Sequence, residues 1–297
     1  MCNKIVEVSN LKKRYKGFYL EIVSLSVPKG SILGLIGPNG AGKTTTMKVL
    51  MNMVRADSGE VKIFDMDHIE DEKAIKNRIG YVGEDQFYYA DKTVAWTGNF
   101  VSSFFDQWDK NIFQELITDF KISRTKKISE LSKGMKVKFS LAVALSHNPD
   151  LILLDEPTAG LDPIIRREVL EILRGLAVDE SKSVFICSHI TDDISRIADY
   201  VTFLIDGKIA ISGGKDDILS QWKRIHYKDG ALDTGIIDSL KNRKKHMFGQ
   251  SGVTDRYLDL KDSLAKGLAE ESAKLENVSL DDILIACTKG DENVENS

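Results

Sequence analysis

The chain has 297 residues, of which 42% are hydrophobic and 29% charged, which is typical of a globular protein with one or two domains. Its formal net charge of −4 argues against a surface that binds duplex nucleic acid, because such surfaces carry a basic excess. The three cysteines (Cys2, Cys187 and Cys287) predict no disulfide framework. No stretch approaches the roughly 20 apolar residues of a membrane span, so we expect any membrane role to come through a partner.

The first elements of the chain are predicted strands. KIVEVSNL and FYLEIVSLSV are β-rich, and the first alternates apolar and polar residues as antiparallel strands do. SILGLIG is almost wholly apolar, which is typical of a strand covered on both faces. KTTTMKVLMNMV then predicts a helix, and EVKIF and RIGYVG predict two further strands.

The middle of the chain alternates helices and strands. Residues 87–147 are mostly helical in pattern. LILLDEP predicts a buried strand, SVFICSHI a further strand, and YVTFLIDGKIAISGG a hairpin that turns at Asp206-Gly207. The helices IIRREVLEILRGLA and ISRIADY lie between these strands. This order predicts an α/β fold with a mainly parallel sheet, an N-terminal antiparallel β side-layer and an inserted helical subdomain at about 87–147.

The C-terminal part of the chain changes in character. RIHYKDG, KHMFGQ and RYLDLKD predict short strands, and SLAKGLAEESAKL predicts a helix. VSLDDILIACTKG predicts a last helix that Ser279 caps, with Asp282 three residues on. We therefore predict a first domain at 1–220, a small α+β accessory domain at 221–290 and a disordered acidic tail at 291–297.

One glycine-rich segment carries the strongest chemical signal. Gly37-Pro38-Asn39-Gly40-Ala41-Gly42-Lys43-Thr44, followed by Thr45, fits G-x-x-x-x-G-K-[ST] between an apolar strand and a helix. Glycines let consecutive backbone N–H groups turn inward around a β-phosphate. Lys43 is expected to reach the β- and γ-phosphate oxygens, and the Thr44 hydroxyl to bind Mg²⁺. The loop itself does not decide between adenine and guanine.

Three polar side chains follow buried strands. Asp155 ends LILLD, at the sheet edge where α/β sheets bind ligands, and is predicted to hold Mg²⁺ directly or through water. Glu156 is predicted to be the general base, or at least the carboxylate that polarises the attacking water. His189 follows SVFICS and is predicted to donate to the γ-phosphate and hold that water, with a purely structural role as the alternative.

In this order the motifs closely resemble the ATP-binding subunit of an ABC transporter of the exporter-like, single-cassette type, over about residues 4–215. GPNGAGKTT resembles the Walker A loop, LILLDEP the Walker B strand, and AGLD (159–162) the D-loop. His189 matches the switch histidine. LSKGM (131–135) resembles the signature motif, usually L-S-G-G-Q, with Lys133 and Met135 departing from it.

The resemblance implies that the ATP site is shared between two chains. In this family two subunits pack head to tail, so that Ser132 and the backbone at Gly134 would bind the γ-phosphate of ATP held by the partner. The resemblance also implies that Tyr15 stacks on adenine, with ordinary surface packing as the alternative. By register after IGYV, Glu84 takes the place of the Q-loop glutamine and is expected to order Mg²⁺ and water, although Gln86 lies two residues later.

The block after this loop is crowded with aromatic residues. At helical spacing the apolar residues fall on two faces, namely Trp96, Phe100 and Phe104 on one, and Val101, Phe105 and Trp108 on the other. In the family, the helical subdomain receives a coupling helix of the membrane subunit. Some of these rings are therefore candidates for that groove, with core packing as the alternative.

The implied function is that of an ATPase that powers transport through a separate integral membrane permease. The expected cofactors are ATP and Mg²⁺, the expected partner in the dimer is a copy or a related ATP-binding chain, and no nucleic acid partner is expected. The family analogy places the protein peripherally on the cytoplasmic face of the membrane and favours export of a peptide, antibiotic or drug. A soluble cassette ATPase acting on ribosomes or nucleic acid is the alternative, and a P-loop kinase or GTPase would leave the signature unexplained.

Overall fold

The computed structural model describes residues 4–85, 87–177, 181–246 and 249–288. It divides into two compact units, with the boundary between Ser212 and Gly213. Among these residues, no helix has both the length and the apolarity needed to cross a membrane. Gln86 and the predicted tail at 291–297 lie outside the described residues.

The first unit is built on one large sheet. In chain order its strands are β1 (Lys4–Tyr15), β2 (Phe18–Pro28), β3 (Ile32–Ile36), β4 (Ser58–Ile63), β5 (Met66–Asp67), β6 (Ile79–Val82), β7 (Leu151–Asp155), β8 (Ser183–Ser188), β9 (Tyr200–Ile205) and β10 (Lys208–Gly214). They lie in the order β5-β4-β1-β2-β10-β9-β3-β8-β7-β6. Strands β9, β3, β8, β7 and β6 pair with one another in parallel and form the core of the sheet.

The N-terminal antiparallel strands continue this sheet. Strand β1 pairs antiparallel with β2 and β4, and β2 joins β10 through one parallel pair, Glu21 opposite Lys208. Strands β3, β7 and β8 are buried along their whole length, which for β3 and β7 confirms the prediction of buried strands.

The helices of the first unit connect these strands. They are α1 (Lys43–Leu50), α2 (Glu72–Lys76), α3 (Val94–Ser102), α4 (Lys110–Asp119), α5 (Lys133–Leu145), α6 (Pro163–Ala177) and α7 (Thr191–Ile197), with a 3₁₀ turn at Ile128–Glu130. Helices α3, α4 and α5 share a small core of their own around Val94, Phe113 and Phe139. Their independent core physically explains how a helical segment can stand beside the main sheet.

The C-terminal unit is a small α+β structure. Its elements are α8 (Lys215–Gln221), β11 (Lys223–Tyr227), α9 (Thr234–Ser239), β12 (Lys241–His246), β13 (Gly249–Thr254), α10 (Tyr257–Ala269), β14 (Ala273–Asn277) and α11 (Leu280–Thr288). The strands form an antiparallel sheet in the order β12-β13-β11-β14. The predicted cap of the last helix is confirmed, since Asp282 N donates to Ser279 Oγ (3.1 Å) and Ser279 N donates to Asp282 Oδ2 (2.9 Å).

Two local predictions in this unit are wrong. RYLDLKD, predicted as a strand, begins helix α10, because Tyr257, Leu260 and Leu264 recur at helical spacing and pack into one core. The end of SLAKGLAEESAKL, predicted as helix, is strand β14, in which Leu275 pairs with Ile225 of β11. In both cases, the contacts made across the unit decide between helix and strand where the short apolar pattern is ambiguous.

Candidate functional site

The chemical residues of the first unit converge on one cleft. The cleft has a volume of about 740 Å³ and lies where β3, β7 and β8 end. The residues that line it are Tyr15, Gly17, Phe18, Asn39, Gly40, Gly42, Lys43, Thr44, Thr45, Glu84, Glu156 and His189. Parallel strands bring their carboxyl ends to one edge, which is why residues so far apart in sequence meet here.

The phosphate loop is held in a conformation that only glycine adopts freely. Gly40 and Gly42 have φ values of 82° and 110°. Gly37 passes so close to the backbone that a Cβ there would lie 2.2 Å from the Leu204 carbonyl oxygen. Ala41 is buried, and its N–H donates to the Pro38 carbonyl (3.2 Å). The loop is therefore preorganised before any phosphate arrives.

Lys43 lies at the centre of this loop with its ammonium fully partnered. Its Nζ donates to the carbonyl oxygens of Gly37 (2.8 Å) and Pro38 (3.1 Å) and lies 3.2 Å from Glu156 Oε1. The side chain is buried, so these partners compensate a charge that has lost its hydration. Phosphate oxygens are acceptors of the same kind and can take over these contacts.

Thr44 and Asp155 form a donor set suited to a magnesium ion. Thr44 Oγ1 donates to Asp155 Oδ1 (3.2 Å). Burial, with smaller contributions from the nearby carboxylates of Glu156 and Glu84, raises the pKa of Asp155 to about 6, although the bond from Thr44 and the charge of Lys43 act in the opposite direction. A buried carboxylate that is short of positive charge fits a cation. Among the described residues, no group of three or more His, Cys, Asp or Glu side chains could hold a metal, so most ligands would be water and phosphate, as Mg²⁺ prefers.

Glu156 connects the phosphate loop to the histidine. Its backbone has φ of 51°, in the left-handed region that non-glycine residues rarely occupy. His189 Nδ1 donates to Glu156 Oε2 (2.7 Å), while Glu156 Oε1 faces Lys43. Glu156, the predicted base, therefore lies at the cleft between the Lys43 ammonium and the His189 imidazole.

Tyr15 lies at the mouth of the cleft, where β1 turns into β2. Its ring is 43% exposed, and Lys13 Nζ lies 5.5 Å from the ring centre. Gly17 and Phe18 line the same end of the cleft, although the sequence reasoning did not single them out. The sequence did offer a signal for these two residues, because a tight turn after Tyr15 brings Phe18 opposite it, as their pairing in the structure shows. An exposed ring beside a phosphate loop is suited to stacking on a base.

The signature residues do not line this cleft. Ser132 is exposed and caps α5, where its Oγ accepts from Met135 N (3.3 Å). Gly134 is buried, and a Cβ there would lie 2.5 Å from Ile165 Cγ2, so glycine allows α5 to approach α6. A Cβ on Gly160 in the D-loop would lie 2.7 Å from Lys133 Nζ. The Lys133 side chain therefore lies next to the D-loop of its own chain.

The aromatic block divides into an exposed and an inward-facing group. Trp96 and Phe100 stack with centroids 5.1 Å apart, and Phe104 meets Phe100 edge-on at 5.2 Å. All three are exposed. Phe105 instead stacks on His147 at 4.0 Å. Helix α3 ends before Phe104. At this end the hydroxyls of Ser102 and Ser103 donate to the carbonyl oxygens of Asn99 and Phe100, and such bonds compete with the helical pattern.

A groove lies beside these rings. It has a volume of about 540 Å³ and is lined by Met51, Glu72, Lys73, Lys76, Asn77, Ile79, Tyr81, Tyr88, Val101, Phe104, Phe105, Val143, Ala144 and His147. His147 is buried there, with its Nε2 2.9 Å from the Ile79 carbonyl oxygen. It therefore fixes the floor of the groove.

Comparison with known proteins identifies the family. The family model described as ABC transporter matches residues 20–159. The ABC transporter ATP-binding protein YtrB of Bacillus subtilis is 31% identical over 288 residues, which cover 95% of this chain and 97% of that protein. The chain belongs to the ATP-binding proteins of ABC transporters. It is an ATP-binding ATPase subunit coupled to transport.

Further relatives agree with this assignment. The bacitracin transport ATP-binding protein BcrA of Bacillus licheniformis is 33% identical over 208 residues, which cover 69% of this chain and 68% of that protein. A solved ATP-binding subunit of an ABC transporter superposes with a TM-score of 0.64 at 25% identity, over 73% of this chain and 92% of the other. The α/β fold with a mostly parallel sheet is the fold of these ABC cassettes.

Proposed function

We propose that this ABC ATPase hydrolyses ATP with Mg²⁺ at sites shared by two cassettes packed head to tail. One observation carries the proposal. None of the described residues that line the ATP cleft comes from the signature segment 131–135. Yet Ser132 begins the 13-residue helix α5, and the N-terminal N–H groups of a helix bind phosphate. A second chain packed head to tail would bring its own signature to the cleft, and these observations support that arrangement.

The cleft residues divide the chemistry among them. The backbone of residues 37–42 and Lys43 bind the phosphates, and Tyr15 stacks on the adenine. Thr44 and Asp155 would hold Mg²⁺, with Glu84 ordering its waters, and the ion neutralises charge on the phosphates. Glu156 takes the proton of the attacking water.

His189 has a defined protonation requirement in this scheme. Its Nδ1 donates to Glu156 in the structure. If Nε2 also donates to the γ-phosphate, both nitrogens carry a proton and the ring is cationic. A cation beside the γ-phosphate stabilises the negative charge that the phosphate carries during the reaction.

The partner that moves the cargo is proposed to be an integral membrane permease, which holds this subunit at the cytoplasmic face of the membrane. The groove of about 540 Å³ and the exposed rings beside it support this proposal, because a contiguous exposed aromatic surface marks an interaction site. The name of BcrA refers to bacitracin transport. By analogy, we propose export of a peptide antibiotic or a related drug.

Mixing two inactive variants tests the shared site. In a head-to-tail pair, Lys43→Ala spoils the site on its own chain, whereas Ser132→Arg spoils the site on the partner. A mixed dimer of the two variants therefore has both defects in one site and none in the other. We expect each variant alone to be inactive and a 1:1 mixture to regain turnover at about one quarter of the wild-type sites.

The matched control is a mixture of Lys43→Ala with Glu156→Ala. These two residues act on the same ATP in the same chain, so every site of the mixed dimer is defective and no recovery is expected. Phosphate release measured on all single variants and both mixtures gives the result. Equal activities of the two mixtures would contradict a site shared between two copies of this chain.

A further inference from the structure

A buried carboxylate outside the cleft connects the catalytic segments. Asp193, in helix α7, is 1% exposed. Its Oδ2 accepts from Thr158 Oγ1 (2.6 Å), and its Oδ1 accepts from Arg166 Nε (2.7 Å). Each oxygen thus has a partner of its own. A buried carboxylate needs such partners, since removing one leaves an uncompensated group at considerable cost.

The sequence positions of Thr158 and Arg166 indicate which segments the Asp193 carboxylate connects. Thr158 lies two residues after Glu156 and directly before the D-loop 159–162, and Arg166 lies in the first turn of α6 directly after the D-loop. Asp193 itself lies four residues after His189. One carboxylate therefore holds both ends of the D-loop against the helix that follows the histidine.

The segment held in this way has an unfavourable backbone conformation. Glu156 has φ of 51°, a conformation that costs a non-glycine residue free energy and persists only where the surroundings hold it. The bond between Glu156 and His189 spans the two segments that Asp193 connects. Movement of Thr158 relative to α7 would change the distance between these two groups.

We propose that Asp193 is a positioning residue for ATP hydrolysis, which keeps the Glu156 carboxylate aligned with His189 and fixes the D-loop. The inference rests on the proposed function in one respect, the assignment of Glu156 as the base. Asp193 does not line the cleft, so its effect falls on the chemical step and not on ATP binding.

The test is Asp193→Asn in the full chain, with Asp192→Asn as the matched control. The amide offers one acceptor oxygen and no negative charge, so Arg166 loses its ion pair, and Thr158 keeps a bond only if its hydroxyl accepts from the amide NH2 instead of donating. We expect kcat to fall about 10- to 100-fold, as small misplacements of catalytic groups do. ATP affinity is expected to stay within about threefold of wild type. Asp192 is the exposed neighbour of Asp193, and its substitution is expected to change neither quantity.

A second variant keeps the inference testable if Asp193→Asn does not fold. Thr158→Val removes only the hydroxyl that donates to Asp193, and Thr158→Ser retains it. We expect kcat to fall with valine and recover with serine. In a Glu156→Gln background, Asp193→Asn is expected to add little further loss, because both changes act through the same carboxylate.

Three results would overturn the inference. They are an unchanged kcat in both Asp193→Asn and Thr158→Val, parallel losses of kcat, ATP affinity and thermal stability, and a full additional loss in the Glu156→Gln background. Wild-type turnover by Glu156→Gln alone would instead overturn the assignment of the base, and the inference with it.

Discussion

The ATP cleft and the C-terminal unit use charged pairs in opposite ways. At the cleft, Lys43 and Glu156 face each other at 3.2 Å with both side chains buried, and Asp155 beside them is buried as well. Of the side chains that the structure describes in the C-terminal unit, no lysine, arginine, aspartate or glutamate is buried. Its pairs, such as Lys241 with Asp255 at 2.7 Å, remain in contact with water.

This difference in burial distinguishes charged groups that serve ATP hydrolysis from charged pairs on the surface. Exposed ion pairs contribute little to folding because solvent screens them, whereas buried ionisable groups cost free energy unless fully compensated. A chain keeps uncompensated buried charges where a ligand will supply the missing counter-charge. Substitution of Asp155, which lacks a counter-charge in the absence of metal, should therefore change activity and stability in opposite directions, whereas substitutions of the exposed pairs in the C-terminal unit should change both only slightly.

The largest effect is expected for Asp155→Asn. Hydrolysis should be lost, because an amide is a poor Mg²⁺ ligand. Without metal and nucleotide, the variant should nevertheless be more stable than wild type at pH 7.5, by up to about 3 kcal/mol, because burial raises the pKa of Asp155 from 3.8 to about 6. Unfolding by urea in the presence of a chelator measures this difference.

The pH dependence of that difference provides an internal check. Between pH 3.8 and about 6 the folded state binds more protons at Asp155 than the unfolded state, so the wild type loses stability as the pH rises through this window. The gain from Asp155→Asn should therefore be large above pH 6 and small at pH 4. Asp255→Asn is the matched control, with an expected change below about 1 kcal/mol at either pH. Lower stability of metal-free Asp155→Asn at pH 7.5 would contradict the comparison.

A smaller set of effects is expected at the exposed rings. Phe104→Asp should reduce co-purification of the proposed membrane permease more than about tenfold, as the loss of a central aromatic contact does. Nucleotide affinity should be unchanged. Ile164→Asp is the matched control, because Ile164 is 72% exposed and Phe104 64% exposed. Equal capture of the permease by both variants would place the interface elsewhere.

Much of the fold and of the cleft could be predicted from the sequence, because both depend on local patterns. Apolar runs gave the buried strands, and the loop that contains Lys43 has a fixed spacing that its phosphate geometry requires. Asp155 and Glu156 could be placed because a strand that ends in acidic residues carries them to the sheet edge.

What could not be predicted depends on contacts between distant segments. The partners of Asp193 lie 35 and 27 residues away, and nothing local marks that carboxylate as buried. The structural roles of His147 and of helix α10 are likewise decided by residues packed against them. Sequence patterns give faces and spacings, whereas such partners emerge only once the elements have packed.

The smallest expected effect separates two explanations of Gly134. A Cβ there would lie 2.5 Å from Ile165 Cγ2, so Gly134→Ala should destabilise the protein by about 1–3 kcal/mol through overpacking. Ile165→Ala removes the atom concerned. In the double variant the stability loss specific to Gly134→Ala should largely disappear, as urea unfolding of the four proteins of the double-mutant cycle would show.

The turnover of the double variant is the informative quantity. If glycine is needed only so that α5 can approach α6, the double variant should hydrolyse ATP as fast as Ile165→Ala alone. If glycine is needed so that the backbone can approach the phosphate of the partner chain, turnover should stay low although stability is recovered. The direction of the Gly134 Cβ favours the first explanation, because it would point into the contact with Ile165 of α6. Low turnover in a stable double variant would contradict it and would assign Gly134 to the shared ATP site.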